Sequence, residues 1–317
     1  MQVFRKLEDV PADFGPTVLS VGNFDGVHKA HQAVLAKVVE RARQLGAKAM
    51  AVTFFPHPTR VLRPDIAPKL LTLLPEKLAL LEKTGLDAVL ALPFTRDLSL
   101  TKPKDFATQI LGKRLKAKEV HEGSNFHFGH QAEGNLDKLR EYGKSAGFEV
   151  VTYPDLRIGR YMVSSSRVRD VLREGHANRA RHLLGRPFSI VSAPGRGRGY
   201  GHKYTVPTIN LARYDELVPK DGVYVTRTKV GDEVFDSVTN VGNRPTFGAD
   251  SFAIETHLLN FHPIDVLADT RVEICFLHRL RDEVKFPTVE ALREQISRDV
   301  KKARRYFRLW TLTSASD

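Results

Sequence analysis

The stretch SVGNFDGVHKAH, residues 20–31, decides how the first half of this chain is read. It grows out of the apolar run TVLSVG at 17–22 and leads into KAHQAVLAKVVERARQLG at 29–46. In the latter, Ala33, Val34, Lys37, Val38 and Ala42 recur at helical spacing, and Gly46 marks a stop. A strand, a glycine-broken turn and a helix start, in that order, open a βαβ unit. Gly22 and Gly26 allow close backbone approach. A spacing of three puts His28 and His31 on one side of the helix's first turn. Both rings then crowd its positive end, which suits an anion, most simply a phosphate. The alternative is a surface helix start with incidental histidines. A zinc site fits less well, because no matching third ligand is spaced nearby.

Further along, the same alternation continues. KAMAVTFF, DAVLALPF, KEVHEG and FEVVTYP read as four more strands. PKDFATQILGKRL and EGNLDKLREYGKSAG read as helices between them. Right-handed crossovers then give a Rossmann-like parallel sheet with its ligand site beyond the carboxyl ends of the strands. The turn after TVLSVG and the PHP after KAMAVTFF both fall at that edge. SSSRVRDVLREG and ANRARHLLG read as two further helices.

Gly185 and Pro187 break this pattern. After them come FSIVSAP, GVYVTRTKV, EVFDSVTNVG, FAIETHLLNF and TRVEICFLHRL, short runs punctuated by Gly, Pro and Asp. They predict an antiparallel sheet or small barrel, closed by a final helix over TVEALREQISRDVKKARRYF. The expected domains are therefore 1–184 and 185–310, in keeping with about 150 residues per domain for a chain of 317.

Composition narrows the class. Apolar residues make up 42% and charged residues 27%, as in a globular protein. The start MQVFRKLEDVPADFG has no apolar signal region, and Pro75, Glu76 and Lys77 interrupt the most apolar stretch, LLTLLPEKLALL. No membrane span is expected, and a cytoplasmic location is. The single cysteine, Cys275, excludes an intramolecular disulfide framework and a cysteine-rich zinc site. The net charge of +12 fits small polyanionic ligands or nucleic acid. The basic residues are mixed with acidic ones and densest only in KKARRYFRLW, so nucleic acid is the weaker choice.

Two more segments carry chemistry. In VSSSRVR, 163–169, serine hydroxyls suit a helix cap, and Arg169 has the fork geometry that clamps phosphate. In PGRGRGYGHKYTVPTINL, Gly195, Gly197, Gly199 and Gly201 make a loop whose N–H groups can wrap phosphates, with Arg196, Arg198 and Lys203 adding charge. An ordinary turn is the alternative. Thr208 and Asn210 follow at spacing two, on one strand face, as oxygen donors suited to Mg²⁺.

GNFDGVHKAH resembles the GxFDGxHxGH signature of nucleotidyltransferases, whose partner segment has the form SSTxxR. With TFFPHP and GSNFHFG it is similar to the adenylyltransferase module of the bifunctional bacterial riboflavin kinase/FAD synthetase family. The matches run in order along nearly the whole chain. The resemblance implies that Gly22, Asn23, His28 and His31 contact ATP phosphates, that Arg169 clamps them, and that Ser164 and Ser165 support the loop. It places His57 and Asn125 near bound FMN and ATP, with Phe54 and Phe126 shaping the pocket. Read without it, His57 is a turn residue between prolines and the phenylalanines are core. Ala30 stands where the signature has its second glycine, and Ser166 where it has Thr.

VPTINL likewise resembles the PTANL signature of riboflavin kinases, with Ile209 for Ala. That likeness assigns Thr208 and Asn210 to Mg²⁺ and ATP, the Gly197, Gly199, Gly201 and Lys203 loop to ATP, and Glu255 to the catalytic base. TNVGNRPTFG, with its 243–246 segment, and LRDEVKF match further family segments, the latter setting Arg281, Glu283 and Phe286 near the isoalloxazine. The usual GRxLGxPT reads GHKYTVPT here, a departure in the kinase loop. The implied reactions are phosphorylation of riboflavin to FMN and adenylyl transfer from ATP to FMN, giving FAD and pyrophosphate. Flavoproteins would be the clients. Two alternatives stand beside this: an FAD synthetase whose C-terminal module has drifted from kinase activity, and a nucleic-acid-binding protein on an old nucleotide fold.

Overall fold

The computed structural model describes residues 1–195, 208–243, 252–262 and 269–314. Of the expected site residues, Gly197, Gly199, Gly201 and Lys203 lie outside the described residues, as do positions 244–246. The chain divides into two compact units, Met1–Ser165 and Ser166–Asp317.

The first unit is built on six parallel strands: β1 (Gln2–Phe4), β2 (Thr17–Val21), β3 (Lys48–Phe55), β4 (Ala88–Pro93), β5 (Ala117–Gly123) and β6 (Glu149–Tyr153). They lie in the order β1-β4-β3-β2-β5-β6, with every neighbouring pair parallel. Its helices are α1 (Lys29–Gln44), α2 (Pro58–Leu62), α3 (Leu74–Glu82), α4 (Arg96–Ser99), α5 (Pro103–Asp105) and α6 (Leu136–Ala146), α5 running on into a π-helical segment, Phe106–Arg114. A two-stranded ribbon, β7 (Arg157–Ile158) and β8 (Tyr161–Met162), follows.

Alternation along the strands supplies a core on each face. Leu19, Val21, Met50, Val52, Leu90 and Val120 bury one face with Phe106, Leu111 and Leu139. Val18, Ala49, Ala51 and Val89 bury the other with Leu35, Val38 and Ala42 of α1 and Leu81 of α3. Full burial of each such Val or Leu is worth about 1.5–3 kcal/mol. The five strands anticipated from the sequence are all present; β1 is the addition, a three-residue edge strand too short to carry a periodic signal. β2 has β3 on one side and β5 on the other, so the chain changes direction across the sheet beside β2. A ligand crevice belongs beyond the carboxyl ends of β2 and β5.

The second unit begins one residue into α7 (Ser165–Arg173) and continues with α8 (Ala177–Leu184). Six antiparallel strands follow: β9 (Phe188–Ser192), β10 (Thr208–Asn210), β11 (Gly222–Val230), β12 (Glu233–Asn243), β13 (Phe252–Leu258) and β14 (Val272–Arg281), in the order β10-β13-β12-β11-β14-β9. The two edges approach each other through a bridge between Pro194 and Leu211. Gly195 N–H donates to Asn210 O at 2.7 Å and Ala212 N–H to Ala193 O at 2.9 Å. Among the described residues the sheet thus curls into a partly closed barrel, its two edges joined at this bridge. The last helix, α9 (Val289–Ser314), packs Ala303 and Phe307 against Val223, Val225, Val238 and Leu277.

Inside the barrel, hydroxyls take the place of part of the apolar core. Thr226 bonds Ser237 at 2.8 Å, Ser237 bonds Thr228 at 2.7 Å, and Thr228 bonds Thr256 at 3.1 Å. Thr256 bonds Thr239 at 2.9 Å and Thr239 returns to Thr226 at 2.7 Å. The ring is closed and all five side chains are fully buried. Each hydroxyl has two hydroxyl neighbours in it, and Ser237 Oγ also donates to Thr226 O at 2.9 Å, so burying these groups is offset by hydrogen bonds.

The two helices that open this unit pack on the barrel side. α8 lies against β14 and β9. The Arg181 guanidinium sits 4.2 Å from the Trp310 ring centroid. Gly175 leaves room for Arg279, whose Cδ would lie 2.7 Å from a Cβ there.

Candidate active site

In the first unit the turn after β2 is strained and tightly tied. Phe24, Gly26 and Val27 have φ of 46°, 80° and 39°. Three sets of contacts offset that strain. The Gly22 N–H donates to Val52 O at 2.9 Å. The Asn23 carbonyl accepts from Lys77 Nζ at 3.1 Å and from Thr53 Oγ1 at 3.2 Å. The buried Asp25 carboxylate accepts from the N–H groups of Leu71 and Thr72 at 3.0 and 3.1 Å. A β-carbon at Gly22 would come within 3.3 Å of the Phe24 ring, so the backbone stays bare there.

α1 starts at the end of this turn. His28 is its N-cap, and His28 Nδ1 accepts from the His31 N–H at 3.3 Å. The proton of a neutral His28 is therefore on Nε2. The two imidazoles stack with centroids 3.5 Å apart and 16° from parallel, and Phe24 meets His31 edge-on at 5.1 Å. Burial first, then the neighbouring His28 and Lys77, hold His31 well below the ordinary imidazole range, so it is neutral at pH 7. His31 Nδ1 is sealed from solvent and has no hydrogen-bond partner among the described residues. A neutral His31 ring at a helix's positive end can donate a hydrogen bond to an anion.

The other expected residues of this unit lie around the same sheet edge. Ser165, the last residue of the first unit, donates from Oγ to Asp25 O at 2.8 Å, and the half-buried Ser164 precedes it. His57 caps α2, its Nδ1 accepting from Thr59 N–H at 3.3 Å. Phe54, at the end of β3, meets Phe94 edge-on at 5.7 Å, and Phe126 stacks on Phe128 at 5.4 Å. Both Phe54 and Phe126 are half-buried and pack on the same core cluster. Asn125 is exposed beyond β5, and its amide donates to Asp155 at 3.1 Å. Arg169 is buried on α7, in the second compact unit.

Two residues of the turn escape the sequence reading. Asp25 is inside the quoted motif yet has no role from spacing alone, because its partners are 46 and 47 positions away. Lys77 reads as a break in an apolar stretch. It lies instead with Leu74 and Leu81 on the buried side of α3, and burial lowers its ammonium pKa while Asp25 opposes that shift. A lysine at a core position of an amphipathic helix is the signal that was available.

In the second unit, register sets the geometry. Asn210 on β10 lies opposite Glu255 on β13, which lies opposite Asn240 on β12. Thr208 lies opposite His257. Directly opposed residues share a face, and so do residues two apart. Thr208, Asn210, Glu255, His257 and Asn240 thus occupy one face of the barrel. Asn240 Nδ2 donates to Glu283 Oε1 at 3.3 Å, and the Glu283 carboxylate rests where a β-carbon on Gly242 would lie, 2.1 Å from its Oε2. Arg281 pairs with the buried Asp299 at 2.9 Å and its guanidinium is 5.7 Å from the Phe286 ring centroid. A Thr hydroxyl and an Asn carbonyl are hard oxygen donors that fit Mg²⁺ held chiefly by phosphate and water. Among the described residues no group of three His, Cys, Asp or Glu side chains could hold a metal by itself.

Known proteins share both halves of this arrangement. The FAD synthetase family matches residues 10–167 and the riboflavin kinase family residues 184–307. A bifunctional riboflavin kinase/FMN adenylyltransferase of Pseudomonas fluorescens is 35% identical over 96% of this chain and 97% of its own. The Escherichia coli K12 protein of that description is 33% identical over 92% and 93%, and the Haemophilus influenzae one 31% over 97% and 99%. A crystal structure of a macrolide-efflux protein from Streptococcus pneumoniae superimposes with a TM-score of 0.84 at 25% identity, covering 95% of this chain and 98% of that one. Among the described residues no helix is long and apolar enough to cross a membrane. FAD synthetase and riboflavin kinase domains are thus both present, on a parallel α/β sheet and an antiparallel barrel, and the chain belongs to the family of bifunctional riboflavin kinase/FMN adenylyltransferases.

Proposed function

We propose that residues 1–184 carry FMN adenylyltransferase activity and residues 185–310 riboflavin kinase activity, acting in sequence on one flavin. The stacked pair His28 and His31 at the head of α1 is the observation that carries the first assignment. An FMN phosphate oxygen attacks the α-phosphorus of ATP, and pyrophosphate leaves. The nucleophile is already ionised, so the imidazoles need not act as bases and donate hydrogen bonds to phosphate oxygens as charge shifts onto them. Gly22 and Asn23 bring backbone to the triphosphate, Lys77 holds their turn and adds charge, and Ser164, Ser165 and Arg169 complete the nucleotide ligands. Phe54, His57, Asn125 and Phe126 receive the flavin.

In the kinase reaction Glu255 takes the proton of the ribityl hydroxyl as that oxygen attacks the γ-phosphorus and ADP leaves. Its place opposite Asn210, on the face that also carries Thr208, supports this role. Thr208 and Asn210 are the residues that would hold Mg²⁺, which when bound neutralises phosphate charge. Arg281, Glu283 and Phe286 flank the isoalloxazine. A cytoplasmic location and hand-over of product to flavoprotein clients accord with this chemistry.

The test is direct. Purified protein is incubated with riboflavin, ATP and Mg²⁺, and the flavins are separated over time. FMN appearing first and FAD following is the expected course. FAD from supplied FMN, with none from riboflavin, would favour a chain that keeps only the first activity.

A further inference from the structure

Glu122, the penultimate residue of β5, is a buried carboxyl that the chemistry above does not use. It is 4% exposed. Its Oε1 accepts from the Val21 N–H at 2.7 Å. Among the described residues no cation or other hydrogen-bond donor meets it. Burial pushes the carboxyl well above its usual range, and the Val21 N–H opposes that shift.

The location gives this bond its meaning. The parallel register between β2 and β5 runs through Leu19 and Val120. Val21 ends β2, and the next residue, Gly22, turns its N–H the other way, to Val52 on β3. Successive N–H groups of a strand face opposite neighbours. The Val21 N–H therefore faces β5, and there a side chain replaces the ladder carbonyl. Other fixed points of the turn come from β3, α3, the segment at 71–72 and Ser165. Glu122 is the tie from the β5 side, at the switch point of the sheet.

We propose that Glu122 is a positioning residue for adenylyl transfer: through the Val21 N–H it fixes the entry to the phosphate-binding turn at 22–28. This rests on the adenylyltransferase reading of the first unit. An apolar residue at 122 leaves the Val21 N–H buried without an acceptor, and the turn relaxes away from the triphosphate. A glutamine keeps an oxygen acceptor at the same reach.

The test uses the full-length protein. Glu122→Leu, Glu122→Ala and Glu122→Gln are compared for FAD formation from FMN and ATP, with KM for ATP and kcat separated. FMN formation from riboflavin is measured in the same preparations. The Leu and Ala variants are expected to lose about tenfold or more in kcat/KM for ATP in FAD formation, chiefly through KM. Gln is expected to stay within about threefold of the parent. Kinase activity should be unchanged throughout. Leu or Ala variants that make FAD like the parent would overturn the proposal, as would a Gln variant that falls as far as they do. If neither apolar variant folds while Gln does, Glu122 is a stability determinant and the proposal fails. A parent protein that makes FMN but no FAD sinks the adenylyltransferase reading itself, a distinguishable result.

Discussion

His28 and His31 lie face to face, 3.5 Å between ring centroids, and the Nδ1 of the first accepts the backbone N–H of the second. Two protonated imidazoles could not share that space. The buried ring of His31, held neutral by its surroundings, is what lets the pair stand together at the head of α1.

Loss of one transition-state donor costs about 3 kcal/mol, or about a hundredfold in rate. His31→Ala is therefore expected to lower kcat for FAD formation about a hundredfold. Kinase activity should be untouched. Steady-state assays of both half-reactions on one preparation check this.

The same ring makes the first unit acid-sensitive. An unfolded histidine titrates near 6.5, whereas folded His31 does so well below that. Between the two, the unfolded chain binds more protons, so stability rises with pH. The contribution is complete above about 6.5 and is lost as pH falls towards the folded value. His121, also lowered by burial, adds in the same sense. Urea midpoints should fall from pH 7.5 to pH 5.5, and the His31→Asn variant should show a shallower slope.

Lys77→Met keeps the length of the side chain and removes the donor to the Asn23 carbonyl and Thr53. The Asn23 carbonyl keeps Thr53 Oγ1 and loses its charged donor, a hydrogen bond of the kind worth about 1.5–3 kcal/mol. FAD formation should show a raised KM for ATP, with riboflavin phosphorylation unchanged. Equal loss of both activities would mean that the lysine serves general folding instead.

Glu255→Gln should abolish FMN formation and leave FAD synthesis from supplied FMN intact. Gly242→Ala tests the neighbouring carboxylate. Its new methyl would occupy the place of Glu283, so KM for riboflavin should rise. Flavin binding measured by fluorescence quenching checks the second variant without turnover.

Thr239→Val breaks the closed hydroxyl ring at one member and leaves Thr226 and Thr256 each short of a partner. A loss of about 1–3 kcal/mol in barrel stability is expected. Thermal unfolding followed alongside FAD synthesis separates the barrel from the first unit.

Particular elements show how far the chain could be read unaided. KAMAVTFF is β3 from its first residue to its last, and Lys29–Gln44 is the helix that periodicity and Gly46 mark out. β1 was invisible because three residues hold no period, and only pairing with β4 makes them a strand. The positions of His28 and His31 on one turn followed from spacing, but their stacking did not, since it depends on the strained turn that brings Phe24 against His31.

What the amino-acid order determined by itself was local: apolar alternation, helix starts, the glycines of the turn, and the motifs that pointed to a nucleotide and a flavin. Tertiary structure alone decided which distant groups stabilise that turn. Asp25 reaches Leu71 and Thr72, Lys77 reaches Asn23, and Val21 reaches Glu122, 101 positions away. Propensity and periodicity act over a few residues, whereas a buried polar group takes whatever partner the packed sheet brings within 3 Å or so.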